Sequence, residues 1–341
     1  MIENISDRDH TYLKTKDNVY FAVSGNLHTQ DTIFGQPYYF PKKTVETILD
    51  RQIQKTILIG DDEFCKLLDV LNQEDYPIFI KENFSKYYYS PEMWPLLMRV
   101  KREDITQVLD PKQGLINIRQ KYQNQEDSPL IYFLKTLEEY SPILYQNTGI
   151  TGSLLLHHDL KQLENDADLV IYGQQNVDNS KEFSSIMCKT NKRFSFLDDD
   201  KLEEYLDTKS KIYSGTREQL AKLVKRRWDT YFVDKTKIDL TFSSESKPNL
   251  ESYDLTPLGI RMVSGIVTDT QNSYFLPTEI KVRNQNGNEE DIIITSRGYI
   301  CLFQESDQVD IYGEEYISEN SGKRYTVVKG SKNYFLTKNN E

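Results

Sequence analysis

The stretch that most restricts what this chain can fold into is GITGSLLLHHDLKQLENDADLVIYG, residues 149–173. A Gly-Ser pair opens a leucine-bearing segment of helical pattern. Two aspartates then stand at the mouth of a short apolar strand, ADLVIYG, which Gly173 stops. Just upstream, Leu130, Phe133, Leu134 and Leu137 repeat at helical spacing behind Ser128-Pro129, a cap and a first-turn proline. Downstream, helical patterns over 178–190, 198–206 and 216–229 lead to KIDLTF, residues 237–242. That last segment alternates apolar and polar residues, the period of a half-buried strand. Helices and single strands thus follow one another closely through this stretch.

The flanks read differently. Residues 12–41 carry strand patterns, NVYFAVSGNL and TIFGQPYYFP. Residues 43–108 mix helix-like pieces, KTVETILDRQI and DEFCKLLDVL, with a short apolar strand, YPIFI. The polar run 110–129 reads as a boundary. Beyond about residue 250, IRMVSGIVTD, YFLPTEIKVRNQNGNEEDIIITS, GYICLF and RYTVVKG are separated by Asn, Gly and Asp clusters. That pattern predicts a small barrel or sandwich. The expected organisation is an N-terminal α/β segment over 1–127, a helix-and-sheet domain over 128–247 and a C-terminal β-rich domain over 248–341.

Composition narrows the partners. The net charge of −11 opposes binding to long DNA through the phosphate backbone. One local basic patch, Lys222, Lys225, Arg226 and Arg227, runs against that field, and a solvated helix face explains it as well as a binding surface does. The three cysteines, Cys65, Cys188 and Cys301, have neither disulfide-framework nor zinc spacing. With no signal-like start and no apolar run near the ~20 residues of a membrane span, the expected setting is cytoplasmic. The tyrosines Tyr38, Tyr39, Tyr87, Tyr88 and Tyr89 are expected to fill half-buried strands rather than to stack on bases.

The chemistry concentrates in the opening stretch. Backbone N–H groups at a helix start lack intrahelical acceptors and suit phosphate oxygens. Gly152 allows close approach, and Ser153 adds a hydroxyl; the plain alternative is that Ser153 only caps its helix. In Asp166-x-Asp168 strand geometry places both carboxylates on one face. Two such groups repel unless a cation lies between them, and Mg²⁺ or Mn²⁺ takes oxygen ligands of this kind. The plain alternative is a solvated loop. Nucleotidyl transfer needs a further carboxylate near the attacking hydroxyl. Asp239, between Ile238 and Leu240 on the later strand, is the first candidate. Asp229, Asp234 and Glu245 rank below it, at a helix end, a turn and a polar run. His157 and His158 point different ways on the helix and have no ligand-spaced partner for zinc.

Gly152-Ser153, then Asp166-x-Asp168 with LVIYG, then an aspartate in an apolar strand, resembles the DNA polymerase beta-type nucleotidyltransferase superfamily over about 129–245. With DRDH (7–10), VYFAVSGNLH (19–28), GITGSLLL, DADLVIYG and KRRW (225–228), most of the chain is similar to archaeal minimal nucleotidyltransferase-domain proteins of unassigned substrate. The resemblance implies an α+β fold, a nucleotidyltransferase palm (mixed sheet with helices) flanked by the N-terminal α/β segment and the C-terminal β-rich domain. It implies that Asp166, Asp168 and Asp239 bind Mg²⁺ or Mn²⁺ and that Gly152 and Ser153 contact the triphosphate. Arg226 and Arg227 match a basic element placed with the nucleotide-binding residues, contact with the acceptor or the domain surface being the other roles. Ala167 stands where a β-branched residue is usual, and HHDLKQLEN replaces a shorter Gly- and Ser-containing approach to the aspartates.

The expected function is metal-dependent transfer of an NMP from an NTP such as ATP to a hydroxyl, with release of pyrophosphate. An RNA end, a protein side chain or a small molecule would be the acceptor. The competing readings are a catalytically silent nucleotide- or RNA-binding module on the same fold and an RNA-interaction protein using its flanking β segments.

Overall fold

The computed structural model describes residues 7–26, 28–160, 166–197, 199–209, 217–244, 255–329 and 335–338. It is α+β, with several sheets and a β-rich C-terminal region. The chain divides into two compact units, Met1–Asn176 with Ile238–Lys247, and Val177–Lys237 with Pro248–Glu341. The expected segment 1–127 lies wholly in the first unit and 248–341 wholly in the second, while 128–247 is shared between them.

The first unit opens with β1 (Tyr12–Thr15), β2 (Tyr20–Val23) and β3 (Thr32–Pro41), then α1 (Lys42–Leu49). The hairpin β4 (Ile57–Ile59) and β5 (Asp62–Lys66) follows, then α2 (Leu67–Val70), α3 (Asp75–Asn83), β6 (Met98–Lys101) and β7 (Ile105–Leu109). The strands form one sheet in the order β4-β5-β3-β2-β1-β7, with β6 also on β3. Its core gathers Leu13, Phe21, Val23, Ile33, Phe40, Phe79, Ile80 and Met98.

Two segments differ from the sequence reading here. YPIFI is not a strand but the body of α3, because Tyr76, Phe79 and Ile80 bury at helical spacing. DEFCKLLDVL is half strand, since Phe64 and Glu63 pair with Ile57 and Leu58 before α2 begins. The polar run after 110 begins with α4 (Pro111–Lys121), whose start is fixed by Asp110. Its Oδ1 accepts from the N–H groups of Lys112 (2.9 Å) and Gln113 (3.1 Å). Leu115 and Ile118 bury one face, and the polar remainder faces outward.

α5 (Pro129–Tyr140) follows as read, with Leu130, Phe133, Leu134 and Leu137 buried. Then come α6 (Pro142–Gln146), β8 (Thr148–Ile150), α7 (Gly152–His157) and β9 (Asp166–Tyr172).

The second unit begins with α8 (Asn176–Thr190), β10 (Phe194–Phe196), α9 (Asp199–Lys209), α10 (Arg217–Val224) and β11 (Thr230–Val233), which pairs antiparallel with β10. The chain then returns to the first unit with β12 (Thr236–Ser243), whose place beside β9 gives the order β12-β9-β8.

The β-rich region comprises β13 (Leu255–Asp269), β14 (Thr278–Asn284), β15 (Glu289–Ile294), β16 (Gln308–Ser318), β17 (Arg324–Val328) and β18 (Phe335–Lys338). The path β13-β14-β15-β17-β16 closes because β16 pairs back onto β13, so a barrel replaces the barrel-or-sandwich alternative. Val263, Val267, Ile280, Val282, Ile292, Val309 and Ile311 fill it. GYICLF is not a strand: it makes a 3₁₀ turn at Arg297–Tyr299, and Ile300, Leu302 and Phe303 then bury without joining the ladder. No helix among the described residues is long and apolar enough to cross a membrane.

One histidine of the first unit makes its stability depend on pH. His28 accepts the Phe34 N–H at Nδ1 (3.1 Å) and meets the Gly25 carbonyl with Nε2 (3.1 Å). Those partners select the neutral tautomer with Nε2–H donating. Burial pulls its pKa below the ordinary histidine value, against a partial upward pull from Asp7 and Asp9. The native state therefore binds fewer protons than the unfolded chain once the pH falls below about 6.5. The contribution of His28 is present above that pH and is lost as pH falls through its native pKa. The stability gap between wild type and His28→Gln, measured by urea denaturation, is expected to narrow between about pH 7.5 and pH 5.

Candidate functional site

The site is built where β8, α7, β9 and β12 meet. The β8–β9 ladder pairs Ile150 with Leu169 and continues as the Thr151 N–H donates to the Asp168 carbonyl at 3.0 Å. The next residue, Gly152, has φ +65°, a left-handed conformation that favours glycine. A Cβ added there would stand 3.2 Å from Asp168 Cγ and overlap Oδ2. The Asp168 carboxylate therefore lies directly against the Gly152 backbone. The two halves of the opening motif form one place in the fold.

α7 is short and is anchored by Leu154, Leu155 and Leu156, all buried. Leu160 is half-buried, while Leu163 lies outside the described residues. The helix ends at His158, whose φ of 50° turns the chain and whose N–H returns to the Leu154 carbonyl. His157 Nδ1 accepts from the Asp159 N–H at 3.0 Å, so this ring serves the turn.

On β9 the pattern is as the alternation requires. Asp166 is exposed and Asp168 half-buried on one side, while Ala167 and Leu169 are buried on the other. On β12, Ile238, Leu240 and Phe242 are buried, and Asp239 and Thr241 are half-buried between them. β12 is tied to β9 by Thr241 Oγ1 donating to the Leu169 carbonyl and by the Gly173 N–H donating to the Ser243 carbonyl, both at 2.9 Å. Asp239 thus stands on the strand next to the Asp-x-Asp pair. Among the described residues, however, no group of three or more His, Cys, Asp or Glu side chains is placed to hold a metal ion. Asp166 and Asp168 have the oxygen chemistry a hard divalent cation takes, and the absence of a Cβ at Gly152 is what lets the Asp168 carboxylate lie against the backbone there.

The lower-ranked carboxylates are otherwise engaged. Asp234 pairs with Arg193 at 2.6 Å, Asp229 is buried against Arg227, and Glu245 lies outside the described residues. The two arginines of the basic patch belong to the second unit. Arg226 Nη1 donates to both carboxylate oxygens of Asp307, at 2.7 and 2.8 Å. Arg227 makes a two-pronged pair with Asp229 and donates from Nη1 to the Tyr205 hydroxyl at 2.8 Å. Both guanidiniums hold carboxylates of their own unit.

Two elements of the N-terminal part reach the site. The DRDH stretch meets it through Thr151 Oγ1, which donates to the His10 carbonyl (3.3 Å), and through Tyr172, whose hydroxyl donates to the Asp9 carbonyl (3.3 Å). The β4–β5 hairpin brings the second, with β4 packed against α7. β5 ends at Lys66, in register with Tyr39 of β3. Lys66 Nζ lies 4.6 Å from the centre of the Tyr38 ring and 3.9 Å from Asp69. Burial pulls the Lys66 pKa down, but Tyr38, Asp69 and Asp168 together raise it. Burial likewise pushes the Tyr39 hydroxyl up, with Tyr38, Asp168, Asp69 and Asp166 adding to it. Sequence reasoning noticed the tyrosine pair only as strand filling and missed Lys66 altogether.

The Gly152 geometry carries a test. Gly152→Ala forces a left-handed alanine, at a cost of roughly 1–2 kcal/mol, and also pushes the Asp168 carboxylate aside. Urea denaturation is expected to show a total loss of about 2–3 kcal/mol. A loss below about 0.5 kcal/mol would mean that the loop and Asp168 do not touch as described.

Against known proteins, the chain is 26% identical over 327 residues to an uncharacterized protein, MJ1086, of Methanocaldococcus jannaschii, with 93% of each chain covered. No family model matches the chain. No solved structure matches it either. The archaeal resemblance read from the sequence accords with this chain-long similarity.

Proposed function

We propose that the chain is a metal-dependent nucleotidyltransferase with a polymerase beta-type palm, formed by β8, α7, β9 and β12. The observation that carries this reading is the seating of the Asp168 carboxylate on the left-handed Gly152 at the start of α7. Phosphate-binding backbone and cation-binding carboxylate are then adjacent, as transfer from a nucleoside triphosphate demands.

In this reading, the Ser153 hydroxyl and the first N–H groups of α7 hold the triphosphate. Asp166 and Asp168 would hold Mg²⁺ or Mn²⁺, with Asp239 as a third ligand from the adjoining strand. A bound cation would offset charge on the reacting phosphoryl oxygens and ease deprotonation of the acceptor hydroxyl. The acceptor oxygen forms a bond to the α-phosphorus as the bond to the bridging oxygen breaks, and pyrophosphate leaves. The hydroxyl proton passes to Asp239 or to water. The acceptor class stays as read from the sequence: an RNA end, a protein side chain or a small molecule.

A catalytically silent nucleotide-binding module is the second reading. It is favoured by the lack, among the described residues, of a three-carboxylate group placed for a metal ion. The deciding experiment incubates the protein with each α-labelled NTP, Mg²⁺ or Mn²⁺, and cellular RNA, protein and small-molecule extracts. Label moved to an acceptor, with pyrophosphate released, supports the transferase. Nucleotide binding without transfer supports the silent module, and absence of both overturns the nucleotide reading.

A further inference from the structure

We propose that Lys66, seated on Tyr38, is the polyphosphate-binding cation of this site, brought to it by the N-terminal sheet. The inference deepens the nucleotide reading and rests on it.

A nucleoside triphosphate entering beside Asp166 and Asp168 places several negative charges next to two more. α7 cannot offset them alone, since a helix of six residues has a small dipole and few N–H groups to offer. The cations that the sequence suggested, Arg226 and Arg227, are held by Asp307 and Asp229. Lys66 is different in three respects. Its hairpin packs through β4 on the helix that follows Gly152. Its ammonium is in electrostatic reach of Asp168, the carboxylate lying against Gly152. Its side chain is about one-third exposed, and its ion pair with Asp69 is long at 3.9 Å.

The seat also has a physical purpose. The Tyr38 ring is itself braced edge-on by Tyr12 and Tyr39, at centroid distances of 6.1 and 5.1 Å. Cation–π attraction holds the ammonium over that ring without neutralising it. A lysine so placed presents a compact charge with three donors, which suits the oxygens of a flexible phosphate chain. A plain counter-ion for Asp168 would need the same charge, but it would not distinguish nucleotides by their number of phosphates.

The test measures binding of each NTP and its matching NMP by calorimetry, with Ca²⁺ present to limit turnover, for wild type, Lys66→Met and Lys66→Arg. Lys66→Met keeps an unbranched apolar stem on the Tyr38 ring, and thermal melts report whether it stays folded. Loss of one charge-assisted contact is expected to weaken NTP binding by roughly tenfold to a hundredfold. NMP binding is expected to change less than about threefold, and Lys66→Arg to recover most of the loss. NTP binding by Lys66→Met equal to wild type overturns the assignment. So does an equal loss for NTP and NMP, which marks a structural counter-ion. If wild type binds no nucleotide, the nucleotide reading of the whole site fails, and the Lys66 assignment falls with it.

Discussion

Asp166→Asn/Asp168→Asn protein is expected to lose transfer of labelled nucleotide by about a thousandfold or more while remaining as stable as wild type. The two halves of that expectation come from different physics. The activity loss follows from removing the charged oxygens that would gather the divalent cation, an effect of several kcal/mol on the transition state. The unchanged stability follows from exposure and charge. Asp166 is exposed and Asp168 half-buried, and two carboxylates on one strand face repel each other. Asparagine keeps the shape, and the repulsion it removes is set against the attraction between Asp168 and Lys66 that it also removes, so urea denaturation is expected to place the variant within about 1 kcal/mol of wild type. A variant that is stable and still transfers label at the wild-type rate would remove the Asp-x-Asp pair from the chemistry.

The same contrast of charge and burial decides what could be read from the sequence. α5 and β12 were legible because each buries one face at a regular period, as in Leu130, Phe133, Leu134 and Leu137, and β9 because its short apolar run is stopped by Gly173. The link between Gly152 and Asp168 was legible as an order of motifs, and it became a contact because β8 pairs with β9. α4 was hidden by its polar face, and α3 by a five-residue apolar window too short to separate strand from helix. The reading placed nothing over Gln308–Ser318, where β16 closes the barrel.

Lys66 was invisible for a different reason. Nothing local distinguishes it from other lysines, and only the register of β5 on β3 and the packing of β4 on α7 bring it to the site. Arg226 has a partner that the sequence hides in the same way. It stands in a short run of cations, and the carboxylate it holds is 81 residues further along the chain.

Arg227→Met is expected to destabilise the protein by about 3–5 kcal/mol, because it leaves a buried carboxylate with no cation. Asp229 is 0% exposed, and the Arg227 guanidinium grips it with Nε (3.0 Å) and Nη2 while Nη1 donates to Tyr205. Removing one partner of such a pair costs far more than the pair contributes, since the remaining charge has lost its water as well as its partner. Arg227→Met/Asp229→Leu is therefore expected to recover much of the loss, because no charge is then stranded in the interior. Arg226→Met is expected to cost less, about 1–2 kcal/mol, because Arg226 is more exposed and Asp307 also accepts the Gln304 N–H at 2.9 Å. Denaturation curves for the four proteins measure these terms, and nucleotide titrations of the folded variants supply the control. If Arg227→Met melts like wild type but binds nucleotide weakly, Arg227 acts on phosphate, one of the roles that the resemblance leaves open. If it melts early and binds nucleotide normally once folded, Arg227 keeps Asp229 soluble in the interior of the second unit, and the nucleotide's cation has to come from elsewhere.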